Sequence, residues 1–263
     1  MRYYFSILFA AVLWGTMYAA TTEWLPGGGP LQLGAIRALP AALVLMFFVR
    51  KWPGKKDIGR LFWLSIFNIG IFFGLFFFAA YRLPGGVAAT LGAFNPFFVA
   101  LFAWGLLSQK PKKANWIAIA LGIAGIAMLV LAPSAELDGL GVLAVLGATL
   151  AIALGNVLTK KWGLPDSTLE ATTWQLLIAG ILLGVVALAI EGIPPLPGMR
   201  ELGAYAYISF VATGLAYLAF FYGIRNLKKP QMAAVLTLAT PLAAVLIDAI
   251  FLNKRLSGLQ YIG

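Results

Sequence analysis

Residues Ala233 to Arg255 read AAVLTLATPLAAVLIDAIFLNKR. This is an apolar run of membrane length that carries Pro241 near its middle, a line of threonines, and the carboxylate Asp248. Thr237, Thr240, Ala244 and Asp248 are spaced to share one face of a helix. The pattern recurs 145 residues earlier, in Ala88 to Lys110, AATLGAFNPFFVALFAWGLLSQK. There Leu91 stands for Leu236, Asn95 for Thr240, Pro96 for Pro241, Leu107 for Leu252 and Lys110 for Arg255. Two proline-interrupted spans at corresponding places in two halves of a chain point to a solute-binding site at membrane depth.

Composition agrees with a membrane setting. Of 263 residues, 62% are hydrophobic and 11% charged, against about 45–50% and about 25% in soluble domains. The apolar runs are long rather than short and alternating, which predicts an all-α, polytopic membrane protein and excludes a strand barrel. Cysteine and histidine are both absent, so no disulfide framework, thiolate or imidazole metal site, or Cys or His catalytic group can be built. The net charge of +10 reads as topology-determining residues beside anionic lipid rather than as a nucleic-acid surface.

Spans are expected at about 3–22, 31–50, 60–82, 85–107, 114–132, 139–159, 168–190, 202–224 and 231–252. Arg2 ahead of an apolar run is also how a cleaved leader begins, but the run recurs later in the chain and is taken as the first span. With the N-terminus cytoplasmic, 14 of the basic residues fall on inward loops, and only Arg82, Arg200, Lys254 and Arg255 fall outside. This bias predicts the orientation.

Span one aligns with span six at an offset of 138, where Arg37 also meets Gln175. The offset widens to 145 by spans four and nine. The expected organisation is therefore two five-helix units, 1–134 and 135–263, the second inverted because five is odd. Leu256 to Gly263, LSGLQYIG, reads as the first turns of a tenth span, truncated here.

The residues Trp14-Gly15-Thr16-Met17-Tyr18, Arg37 with Ala41, Ala88 to Pro96, Thr213-Gly214-Leu215-Ala216-Tyr217 with Gly223, and Ala233 to Pro241 with Lys254-Arg255-Leu256 resemble one known group. The chain is similar to the drug/metabolite transporter superfamily, in its ten-helix, EamA-type branch. The resemblance covers essentially the whole chain and is strongest to bacterial exporters of amino acids, aromatic ones in particular. It implies residence in the inner membrane and alternating access. It also implies a central cavity among spans one, three, four, six, eight and nine, with five and ten peripheral.

Within this frame Asn95 and Thr240 are the leading candidates, each beside a proline that frees a backbone carbonyl one turn earlier. Freed backbone at membrane depth is tolerated where it is buried or lines a wet cavity. Thr237, Asn68 and Asn156 are further polar candidates, and Trp14, Tyr18 and Tyr217 offer rings to a substrate. Pro96 and Pro241 are the expected helix breaks. A charge inside the bilayer is costly and seeks a partner, so Arg37 and Asp248, each roughly 7–10 Å below the outer surface at 1.5 Å per residue, form a candidate outer charge pair. The phenylalanine run of span three, Phe72 to Phe78, is expected mostly to pack or meet lipid.

A secondary transporter of small molecules, embedded in lipid, without cofactor, metal or catalytic residues, is the reading these features favour. No P-loop motif is present. A membrane-embedded enzyme or lipid-handling protein is the alternative, but a catalytic pair is hard to assemble from these acids.

Overall fold

Prolines and glycines mark where the helices of this chain start and stop. The structure, a computed structural model, describes residues 2–25, 29–83, 85–110, 117, 138–164, 167–228, 230–240 and 243. The expected fifth span, Pro241, Asp248 and the stub after Arg255 lie outside the described residues. Every regular element among the described residues is helical. They are α1 (Arg2–Trp24), α2 (Pro30–Met46), α3 (Lys55–Ala80), α4 (Gly85–Gly92), α5 (Asn95–Leu107), α6 (Gly139–Trp162), α7 (Thr168–Ile190), α8 (Met199–Asn226) and α9 (Pro230–Leu236). The helices α3, α6, α7 and α8 are each long and apolar enough to cross a membrane.

Span four does not run through. It breaks at Ala93 and Phe94, and Pro96 sits in the first turn of α5, where its missing N–H costs nothing and its fixed φ suits the helix. Span nine breaks at Thr237 and Leu238, with Thr237 N bonded to Ala233 O at 3.0 Å and Leu238 N to Val235 O at 3.1 Å.

Two helices contain π-helical turns, Ile66–Gly70 in α3 and Tyr207–Leu215 in α8. One lies in each half of the chain. Such turns are rare and concentrate at functional sites.

The core is built by α2 against α7, α1 against the second half of α8, and α3 and α5 against α6. Small residues set the closest approach. A Cβ on Gly180 of α7 would lie 3.1 Å from the backbone nitrogen of Leu39 on α2, so the two backbones nearly touch, as membrane helices do when dispersion and polar links rather than water drive packing. The buried centre is aromatic. Trp14 and Tyr217 meet edge-on with ring centroids 5.2 Å apart, and Phe73 stands 6.0 Å from the same tyrosine.

One link closes an end of the bundle. Glu191, just past α7, accepts from Leu31 N at 2.9 Å and from Gln32 N at 2.8 Å, so its carboxylate meets the open amides of α2. Gln32 Nε2 answers by donating to Gly192 O at 3.0 Å.

Candidate functional site

A cavity of about 150 Å³ opens among α1, α2, α3, α4, α5, α6 and α8, and the segment after α9 adds to its wall. Its walls carry Trp14, Asn95, Asn156, Tyr217, Thr237 and Thr240 of the sequence candidates, together with Arg37. Tyr18 lies on α1, and its side chain is outside the described residues.

Asn68, expected along the substrate pathway, is not among the residues that line the cavity. It is fully buried and donates from Nδ2 to Thr159 Oγ1 at 3.1 Å and to Gln175 Oε1 at 2.9 Å. Its place at the π turn of α3 points it between α6 and α7 instead. Most of the phenylalanine run packs as expected, Phe73 and Phe77 in the main core and Phe78 against a second cluster, while Phe72 and Phe76 also line the cavity. Sequence reasoning further missed Met17, Thr149, Ile152 and Phe220. Spacing held the signal: Phe72 and Phe76 are one turn apart, and Phe220 lies three residues after Tyr217.

The polar inventory of the cavity is unusual for an apolar setting. Trp14 Nε1, Asn95 Oδ1 and Asn156 Oδ1 are buried and have no hydrogen-bond partner. Leaving such a group unmet costs about 1–3 kcal/mol. All three residues line the cavity, so one indole donor and two amide acceptors stand unmet in its walls. The threonine hydroxyls of 149 and 237 already donate to Val145 O and Ala234 O in their own helices, at 2.7 and 2.8 Å.

Arg37 supplies the positive charge. It is 3% exposed. Its Nε donates to Thr213 Oγ1 at 2.5 Å, its Nη2 to Ala212 O at 3.3 Å, and its guanidinium carbon stands 4.1 Å from the centre of the Phe73 ring. Hydrogen bonds and a desolvated cation–π contact, the latter of order 2 kcal/mol, offset a burial cost of about 2.5–3.5 kcal/mol. The proposed partner, Asp248, lies outside the described residues.

The EamA-like transporter family matches the chain twice, over residues 1–131 and 139–263. The chain belongs to this family. It is 39% identical over 257 residues to Protein PecM of Dickeya dadantii, an alignment that covers 97% of this chain and 86% of that protein. It is 26% identical to an inner membrane transporter, YedA, of Escherichia coli K12, covering 98% of this chain and 86% of that one. To the transporter YwfM of Bacillus subtilis it is 29% identical, covering 98% and 88%. A solved crystal structure superposes with a TM-score of 0.74 at 18% identity, over 97% of this chain and 90% of the other. This likeness establishes the fold alone. An EamA-like transporter is a multi-pass membrane protein, and the cavity of this one lies at the heart of its described helices.

Proposed function

We propose that this EamA-like transporter exports small amphipathic metabolites by alternating access through the central cavity, and that its substrates are amino acids, aromatic ones in particular. The observation that carries the reading is the company of a guanidinium, one unmet indole donor and two unmet amide oxygens in a cavity walled by aromatic rings. Arg37 and Trp14 Nε1 would take a carboxylate. The Oδ1 atoms of Asn95 and Asn156 would accept from an ammonium. Trp14, Phe72, Phe76 and Phe220 would flank a side-chain ring, and a cavity of this size holds about one benzene-sized group.

The transport direction and setting belong to the same reading. The excess of basic residues on loops of one side supports a cytoplasmic N-terminus, and the likeness to an inner membrane transporter supports a bacterial inner membrane. Two inverted five-helix units, 1–134 and 135–263, would rock about the cavity, with Pro96 and Pro241 as flexible points. Tyr18 would add a further ring, and an Arg37–Asp248 pair would tie the outer end shut.

Counterflow in proteoliposomes tests this. Vesicles preloaded with unlabelled L-phenylalanine should accumulate labelled L-phenylalanine, L-tyrosine or L-tryptophan in a saturable way. If no amino acid exchanges, the substrate assignment is wrong.

A further inference from the structure

The π turn of α8 ends in a bonding irregularity that Arg37 occupies. The N–H of Ala216 is shared between Thr213 O and Val211 O, the latter five residues back. When the ladder returns to bonds four residues back in the remainder of α8, the register skips one carbonyl. Counting from that bond, the skipped oxygen is Ala212 O. This is the oxygen that Arg37 Nη2 meets, while Arg37 Nε holds the next residue, Thr213.

The turn in α3 is held from the other side, through a side chain rather than a backbone carbonyl. Asn68 lies at its centre, and its Nδ2 is bound by Gln175 Oε1 at 2.9 Å. Arg37 and Gln175 are the two positions that the sequence offset of 138 brings together. Each therefore secures the π turn in the opposite half of the chain. Gln175 is fully buried and does not line the cavity, whereas Arg37 does. Of the two holds, only one is within reach of a ligand.

We infer that Arg37 is a ligand-operated latch on the π turn of α8. A carboxylate entering the cavity draws the guanidinium to itself, and Ala212 O loses its donor. An orphaned carbonyl at membrane depth disfavours the register that creates it. Helix α8 then moves toward continuous α-helical bonding across Tyr207–Leu215. A shift of one residue turns the C-terminal part of the helix by about 100°, since a turn takes 3.6 residues, and Tyr217 and Phe220 carry that change into the cavity wall. The turn in α3, secured by Gln175, stays as a fixed pivot. The inference rests on the carboxylate-bearing substrate proposed above.

Hydrogen–deuterium exchange on the full chain in detergent reads both turns at once. Without ligand, Arg37→Gln should change exchange across 207–216 by about fivefold or more, leaving 66–71 and α7 as in the wild type. Thr213→Val, a milder change that removes one of the two holds, should give a smaller change confined to the same segment. In the wild type, L-phenylalanine and 3-phenylpropionate should reproduce the Arg37→Gln pattern, and phenethylamine, which lacks the carboxylate, should not. Equal exchange across 207–216 in the wild type and both variants overturns the latch whether or not the carboxylates bind. A ligand response of equal size in both turns also overturns it. If neither carboxylate binds while the variants still alter 207–216, the substrate reading falls and release by a carboxylate falls with it, while the hold of Arg37 on the turn stands.

Discussion

Gly155 of α6 has no room for a side chain because Asn68 of α3 occupies the space. A Cβ built on Gly155 overlaps Asn68 Oδ1 and comes within 3.0 Å of the Asn68 backbone nitrogen. The obstruction is partly backbone, at a π turn that Thr159 and Gln175 hold in place. Gly155→Ala should therefore destabilise the protein by about 1–3 kcal/mol, the usual cost of overpacking. Gly105→Ala, where nothing lies within 4 Å, should be neutral or stabilising by up to about 1 kcal/mol from helix propensity. Thermal unfolding of the two variants in detergent checks the contrast.

The unmet polar atoms of the cavity give a second expectation. Trp14→Phe keeps a ring and removes the indole N–H, so the apparent affinity for the proposed amino-acid substrate should fall about tenfold while expression and folding persist. Asn95→Ala and Asn156→Ala should each do the same. Uptake kinetics in proteoliposomes decide it, and a variant that transports with unchanged KM takes its residue out of the site.

Charge in the cavity should matter more. Arg37→Gln removes the only cationic side chain described in its lining and should reduce transport by at least about a hundredfold, in line with the loss of a charge-assisted contact. Transport at the wild-type rate would exclude a carboxylate-binding role.

A fourth expectation concerns acid. Asp138 caps α6, and the Gly141 N–H at 2.9 Å, followed by Arg82 at 2.7 Å, holds its carboxyl below its ordinary value. A carboxyl with a lowered folded pKa stabilises above its unfolded pKa and loses that contribution as pH falls through the folded value. The difference in melting temperature between the wild type and Asp138→Asn should hold constant from pH 8 to about pH 5 and shrink only below about pH 4. A difference that changes near neutral pH would contradict the capping assignment.

Much of this architecture was legible in the sequence. The span ends at 85, 107, 139, 168 and 190 coincide with helix ends, because apolar length and flanking polar residues fix them. Pro96 announces the break in span four, since a proline can sit only where its missing N–H is not needed. Asn95, Asn156 and Tyr217 line the cavity, since a polar or amphipathic side chain in an apolar run needs either such a space or a buried partner. The π turns were not legible. Nothing in IFNIG or YISFVATGL distinguishes i→i−5 from i→i−4 bonding, and the choice is made by partners more than 100 residues away. Asn68 was misplaced for that reason, its direction being set by the turn it occupies. The cavity phenylalanines were hidden for another: Phe72 and Phe76 sit in a helix so rich in aromatic residues that no face stands out.

The carboxylate of Glu191 has a bearing on how the molecule comes to exist. Helix α2 carries Arg37, and its first amides find their acceptor 160 and 159 residues downstream. While the chain is being made, more than 150 further residues must pass the ribosome before that acceptor emerges. A helix bearing a buried charge thus waits in the membrane with an unfinished end, and the order of synthesis makes the second half responsible for completing the first.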